Sequence, residues 1–227
     1  ILFPVLFLFA FTPLHSQNKL EAIIVKMQNA MGGIDTWQKI AVIKWTFDSR
    51  QTFYWDKHKN TFLMHRPKQR LLVCLNTDSK TGKVWQAGEE VTKSDSLSHY
   101  LNNAYASWVN DSYWLAMPFK LNDPGVVLEY LGKDTTDHAH KVAITFESGI
   151  GLTPKNKYVV WVDRENFLIK KWAFYLNRND YEPLLINKWS DYQRFDDVLL
   201  SLDREDYKIT NVKILDALPH IESFYEK

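Results

Sequence analysis

Cysteine is nearly absent from this chain, with Cys74 the only one in 227 residues. A single cysteine excludes an internal disulfide framework, so the folded state must be stabilised by a buried core. Cys74 itself lies in the apolar run Leu71–Leu75, which favours a small buried side chain over a reactive thiol.

An excess of either charge is also missing. The chain has 28 Lys and Arg against 27 Asp and Glu, for a formal net charge of +1. A nucleic-acid-binding protein needs a basic patch or stripe, so a nucleic-acid partner is not expected. The balance also provides no general electrostatic attraction to anionic membranes.

Catalytic motifs are missing as well. No G-x-S-x-G is present, because the stretch Glu147–Gly151 lacks the glycine two residues before Ser148; a flexible loop between strands is predicted there. No glycine-rich phosphate loop occurs, and no pair of acidic residues lies in an apolar setting of the kind that raises the pKa of a general acid. A Ser-His-Asp triad formed by residues that are distant in sequence is a remaining alternative. The sequence therefore predicts no catalytic residue and no cofactor.

The best candidate for a metal site is Asp137-His138-Ala139-His140. Two histidines at i and i+2 share one strand face and can bind a divalent ion, with Asp134 or Asp137 nearby. The surrounding stretch, Lys133–Lys141, is polar and lies between two predicted strands, which favours a hydrated turn. No metal site is therefore predicted.

Charged residues are missing from the first sixteen positions. The apolar run Ile1–Phe11, followed by His15 and Ser16, is typical of a secretory signal peptide that lacks its basic n-region. The alternatives are a buried N-terminal helix or strand and a transmembrane anchor, although the run is shorter than the roughly 20 residues that span a bilayer. We predict a signal segment over 1–17 and one domain over 18–227, located in the periplasm or secreted.

Two helical segments are indicated. Asn18 can cap an amphipathic helix over Lys19–Met31, which Gly32-Gly33 ends. The core face of that helix would consist of Leu20, Ile23, Ile24, Met27 and Met31. A second helical face covers 97–108 within the stretch Ser94–Pro118, and another apolar cluster follows Asn110-Asp111.

Runs of alternating apolar residues separated by turn residues predict about eleven strands. Neighbours in sequence are expected to pair antiparallel. The fold class is therefore mainly β (α+β), with one curved antiparallel sheet whose concave face is covered by helices. The predicted strands lie near 42–48, 51–56, 61–66, 70–76, 82–87, 126–131, 141–147, 157–163, 167–175 and 184–192, with one or more within 197–214.

Aromatic side chains are abundant: 9 Trp, 11 Tyr and 13 Phe. Many alternate along strands with polar or small residues such as Lys44 and Ala173, so each aromatic set faces one side of the sheet. Each tryptophan taken alone is better explained as an ordinary core residue than as a ligand contact. A broad concave face covered by two modest helices, however, predicts an apolar cavity. The residues predicted to line it are Trp45, Phe47, Phe53, Trp55, Phe62, Trp85, Trp108, Trp114, Trp161, Trp172 and Phe174.

Trp161 is the least secure member of this set. Its neighbours Val160 and Val162 form an alternative apolar face with the same period of two, and only one of the two faces can point inward.

Three stretches of the chain resemble one known family. They are Met31-Gly32-Gly33 followed by Trp37 and the strand with Trp45, the segment Tyr113–Leu121 with Asp123-Pro124-Gly125, and the hairpin Tyr158–Tyr175. Together they are similar to an uncharacterised envelope branch of the LolA/LolB-like superfamily, which has the lipoprotein-carrier fold. The resemblance spans residues 19–217. It implies a half-open antiparallel β-barrel with helices in its concave side as a lid.

The resemblance also implies a class of function. Members of the superfamily carry acylated lipoproteins or lipids across the periplasm or sense envelope stress, and at least one catalyses a small-molecule rearrangement. We therefore expect a monomer that binds an acyl chain, lipid or lipoprotein in the aromatic cavity. The alternatives are an enzyme acting on a small molecule in the same cavity and a sensing module with a protein partner.

Overall fold

The computed structural model describes residues 14–149 and 151–225. It contains three α-helices: α1 (Leu14–Ala30), α2 (Ile34–Lys39) and α3 (Ser94–Ala116). Most of the predicted signal segment lies outside the described residues. None of the described helices is both long and apolar enough to cross a membrane.

The first run of strands matches the sequence prediction to within one or two residues at each end. The predicted turns contain residues in the left-handed region, such as Asp48 and Asn60 with φ of 49° each. A short sixth strand, which the sequence did not indicate, completes the run. The strands are β1 (Val42–Phe47), β2 (Gln51–Asp56), β3 (Thr61–Arg66), β4 (Leu71–Asn76), β5 (Gly82–Gln86) and β6 (Glu89–Glu90).

The second run contains more strands than the sequence indicated. The predicted strand over 184–192 is two strands that meet at Trp189, and the stretch 197–214 forms a hairpin that turns at Glu205 and Asp206. These strands are β7 (Val126–Asp134), β8 (Ala139–Phe146), β9 (Lys157–Asp163), β10 (Ile169–Tyr175), β11 (Leu185–Lys188), β12 (Ser190–Phe195), β13 (Val198–Arg204) and β14 (Tyr207–Leu215).

The mainly β class is confirmed, and the strands are hydrogen bonded in two antiparallel sheets. One has nine strands in the order β12-β13-β14-β1-β2-β3-β4-β5-β6, and the other has five in the order β11-β10-β9-β8-β7. The division falls at Trp189, because β11 pairs with β10 whereas β12 pairs with β13. The backbone N–H of Trp189 donates to the Lys170 carbonyl oxygen at 2.8 Å and joins the two sheets there.

Each sheet packs mainly against a different helix, and Trp114 of α3 reaches both cores. Helix α3 packs on the nine-stranded sheet through Leu101, Ala104 and Leu115. Helix α1 packs on the five-stranded sheet through Ile23 and Met27. The apolar face predicted for the N-terminal helix is thus confirmed as a core face.

The glycine pair after α1 is required by the fold. Gly32 has a φ of +108°, and a Cβ at this position would lie 2.2 Å from the carbonyl oxygen of Asp197. The backbone N–H of Leu199 donates to the Met31 carbonyl oxygen at 2.9 Å, which holds this turn against β13. The predicted end of the helix at Gly32-Gly33 is confirmed.

Helix α3 is longer than the sequence indicated. It continues through Asn110-Asp111 to Ala116, where a 3-10 turn, Met117–Lys120, follows with Pro118 near its start. Side chains of Asn and Asp usually disfavour a helix interior because they compete for backbone hydrogen bonds. Here Asp111 is buried and accepts bonds from other side chains instead, so the helix continues.

Candidate ligand-binding cavity

A cavity of about 490 Å³ lies between α3 and the inner face of the five-stranded sheet. The 3-10 turn after α3 and residues 151–153 and 156 complete its wall. Six aromatic side chains line it: Tyr105, Trp108, Tyr113, Phe146, Tyr158 and Phe174.

Helical and strand periodicity place these side chains on facing surfaces. On α3 the lining residues Tyr105, Trp108, Val109, Ser112 and Tyr113 follow the i, i+3, i+4, i+7, i+8 pattern of one helix face. On the sheet, Phe146, Tyr158 and Phe174 come from the neighbouring strands β8, β9 and β10. Tyr158 lies directly across from Phe174 in the ladder, with ring centroids 5.2 Å apart.

Two of the eleven residues predicted to line a cavity, Trp108 and Phe174, line this one. Most of the others are packed in the two hydrophobic cores. Trp45, Phe47, Phe53, Trp55 and Phe62 are buried in the core of the nine-stranded sheet, with Trp114 packed against them. Trp172 is buried in the core of the five-stranded sheet.

The reason is that α3 fills the concave face of the nine-stranded sheet. Trp108 stacks on Phe62 with ring centroids 5.7 Å apart, and Trp114 meets Phe47 edge to face at 5.6 Å. A helix of 23 residues covers more of the sheet than the two modest segments expected from the sequence. The space that remains is on the other side of the helix, against the five-stranded sheet.

Trp161 and Trp85 lie on the outer faces of their sheets and not on the inner faces where the sequence analysis placed them. Val160 and Val162 take the inner face of β9, so Trp161 points outward, where its indole N–H donates to Asp134 at 2.9 Å. Val84 takes the inner face of β5, and Trp85 therefore lies on the outer one.

The cavity surface is mainly apolar, and its polar side chains other than tyrosine are Asn110, Ser112, Lys120, Asp123, Thr153 and Asn156. Lys120 and Asp123 form an ion pair of 3.0 Å, with Lys120 the more buried of the two. Asn156 is buried in the wall. Burial raises the pKa of Tyr158 to about 12 and also raises the pKa of Tyr113, so both phenols stay protonated at neutral pH. The two phenols and the Asn156 amide can therefore donate hydrogen bonds to a ligand.

The two histidines weighed as metal ligands have protein partners. His138 lies 3.5 Å from Glu165, and His140 Nδ1 lies 3.1 Å from the Tyr130 hydroxyl. Within 14–149 and 151–225, no group of three His, Cys, Asp or Glu side chains is arranged to hold a metal ion.

Cys74 is partly buried on the outer face of β4. Burial raises the pKa of its thiol.

The buried side chain of Asp111, which the sequence analysis did not single out, links α3 to the nine-stranded sheet through hydrogen bonds. Asp111 accepts hydrogen bonds from Gln51 at 2.5 Å and from Asn110 at 2.9 Å. Arg66 donates to Gln51 at 2.6 Å and to Ser107 at 2.8 Å, which closes the network. Asp111 falls on the apolar face of the helix together with Trp108 and Leu115, and that position is a signal the sequence contains.

The Asp111 network should give a distinct pH dependence of stability. Burial raises the pKa of Asp111 above its ordinary value of 3.8. The folded state then holds a proton at pH values where the unfolded state has lost it, so this group makes the protein less stable as the pH rises through that window. Asp111→Asn removes the titration. We expect the urea midpoint of the parent, relative to that of Asp111→Asn, to be highest near the ordinary pKa and to decline toward neutral pH. Parallel pH profiles for the two proteins would contradict this.

Comparison with known proteins finds matches among solved structures. No protein-family model and no curated protein matches the chain. Chains of solved structures do match it, and two of them each share 10% sequence identity with it. One is a domain from Vibrio parahaemolyticus described as an outer membrane lipoprotein-sorting protein, with a TM-score of 0.44 over 91% of this chain and 96% of that one. The other is a LolA superfamily protein from Nitrosomonas europaea, with a TM-score of 0.46 over 92% of this chain and 97% of that one.

The description of the second structure names the LolA superfamily, to which the sequence shows its resemblance.

Proposed function

We propose that this chain binds a hydrophobic ligand, such as an acyl chain, a lipid or the lipid part of a lipoprotein, in the cavity beside α3, and acts as a carrier in the cell envelope. The observation that supports this is the cavity itself. Its volume is about 490 Å³, six aromatic side chains line it, and its surface is mainly apolar. Ligand pockets in proteins commonly have about 300–1,000 Å³ and a mainly apolar lining.

Burial of the ligand would supply the affinity. Each CH₂ group removed from water contributes about 0.8 kcal/mol. The balanced charge of the chain adds no general attraction, so binding should depend little on salt.

Residues 147–149 and 151–153 offer a route for entry and release. Gly149 and Gly151 have positive φ values of 85° and 69°, and a Cβ at either position would meet no atom within 4 Å. Leu152 lines the cavity and is 49% exposed, so it connects the cavity with the surface. A carrier needs such a weakly packed wall because it must release what it binds.

The proposal is tested with N-phenylnaphthylamine, a neutral apolar fluorophore. We expect saturable binding at one site, with energy transfer from tryptophan. Ala106 lines the cavity and is exposed at its mouth, so Ala106→Trp should obstruct the cavity and weaken binding by about tenfold or more.

The matched control is Asn102→Trp. Asn102 is exposed on the same helix and does not line the cavity, so this variant should bind like the parent. Absence of saturable binding to the parent, or an equal loss in both variants, would refute the proposal.

A further inference from the structure

The hydroxyl group of Tyr113 is a hydrogen-bond donor without a partner at the cavity wall. The ring contacts Phe146 and Tyr158, with centroid distances of 5.8 Å and 5.5 Å. The hydroxyl is shielded from solvent and has no hydrogen-bond partner among the described residues. A buried polar group left unpaired destabilises the fold, so native proteins rarely retain one without a reason.

Another buried tyrosine in the same protein is paired. The Tyr192 hydroxyl, which lies outside the cavity, donates to the Ile169 carbonyl oxygen at 2.9 Å. The indole N–H of Trp108, which also lines the cavity, is likewise buried without a partner, and the other unpaired buried atoms of the described residues belong to Trp45, Trp172, Trp189 and Arg204, outside it. The Tyr113 phenol differs from those four because it belongs to the candidate binding site, where a ligand can supply the missing acceptor.

We propose that Tyr113 is a specificity residue that donates a hydrogen bond to a neutral acceptor on the bound molecule, so that the ligand is an apolar chain carrying an uncharged carbonyl, as in an ester or amide, rather than a free carboxylate or a plain hydrocarbon. This inference rests on the proposed function of the cavity. The hydroxyl has almost no exposed surface in the unliganded protein, so a ligand must displace neighbouring side chains to reach it. A hydrogen bond made there does not compete with water, which strengthens it.

The charges at the cavity favour a neutral acceptor over an anion. Among the described lining residues Lys120 is the only cation, and it is already paired with Asp123 at 3.0 Å. The negative charge of Asp123 adds to burial in raising the pKa of Tyr113, so it acts on this end of the cavity. A carboxylate placed there would lose its hydration without gaining a free cation, and Asp123 would repel it.

The test is displacement of N-phenylnaphthylamine by three ligands of equal chain length: an alkane, the fatty acid at pH 8 and its methyl ester. The methyl ester should bind tightest to the parent. Tyr113→Phe should weaken the ester by about fivefold to tenfold, the usual value of one hydrogen bond, and leave the alkane unchanged.

Tyr192→Phe is the matched control, because it removes a paired hydroxyl outside the cavity. It should lower the thermal midpoint and leave the ratio of ester to alkane affinity unchanged. Tyr113→Phe should not lower the midpoint, since its hydroxyl has no partner to lose.

The outcomes separate the two proposals. If the fluorophore does not bind, both the cavity function and the role of Tyr113 are wrong. If the fluorophore and the alkane bind but the fatty acid binds tightest, or Tyr113→Phe weakens alkane and ester equally, the role of Tyr113 is wrong and the cavity function stands.

Discussion

Replacing Arg204 by alanine should lower the free energy of unfolding by about 3–5 kcal/mol, since hydrogen bonds to a charged group are worth about 1.5–3 kcal/mol each. Arg204 is fully buried at the end of β13. Its guanidinium donates to the Trp114 carbonyl oxygen at 2.7 Å and to the Ser201 hydroxyl at 2.7 Å, and it stacks over Trp189 at 3.4 Å. The substitution leaves these acceptors unpaired inside the core and detaches the last turn of α3 from the sheet.

Chemical denaturation provides the measurement, and Arg194→Ala is the control. Arg194 is exposed and makes one long contact, 3.4 Å to the Asp197 carbonyl oxygen, so its replacement should change stability by less than about 0.5 kcal/mol. Arg204→Lys should also be destabilised, because a lysine cannot reproduce the planar fork that reaches two acceptors. Equal stability of Arg204→Ala and Arg194→Ala would show that the buried guanidinium contributes nothing.

Replacing Trp45 by alanine should cost about 3–5 kcal/mol of stability, the usual penalty for removing a buried Trp. Trp45 is fully buried, stacked on Phe53 at 4.9 Å and edge-on to Trp55 at 6.5 Å. It does not line the cavity, so the folded fraction of the variant should bind N-phenylnaphthylamine like the parent.

Phe174→Ala is the complementary variant. Phe174 is half-buried and lines the cavity, so its removal should cost less stability than Trp45→Ala and should weaken fluorophore binding by about tenfold. Unfolding curves and fluorescence titrations of the two variants distinguish a residue of the hydrophobic core from a residue that lines the cavity. A well-folded Trp45→Ala variant that has lost binding would show instead that the core aromatics contact the ligand.

The elements themselves could be predicted because their signals are local. In β1 and β2 the alternation of Trp45, Phe47, Phe53 and Trp55 with polar residues fixes which side chains share a face. The spacing of Ile23, Ile24 and Met27 fixes the core face of α1 in the same way. These periodicities follow from backbone geometry and need no knowledge of the neighbouring elements.

Burial of charged residues could not be predicted in this way. Arg204 stands in the sequence Asp203-Arg204-Glu205-Asp206, which is typical of a solvated turn, yet it is fully buried under the end of α3. Its burial depends on the carbonyl group of Trp114, which is 90 residues away in sequence. No local pattern contains that contact.

The sequence predicted an apolar cavity lined by aromatic side chains, and the cavity in the structure is lined by a largely different set of them. The sequence alone determined that this protein would have a mainly β fold with aromatic inner faces and two main helical segments, because strand and helix periods act over a few residues. The tertiary structure decided which inner face stays open. Helix α3 packs on the nine-stranded sheet and buries Trp45, Phe53 and Phe62 there. The remaining space therefore lies between Tyr113 of α3 and Phe174 of the five-stranded sheet. A cavity is the volume left after all elements have packed, and that volume depends on every long-range contact together.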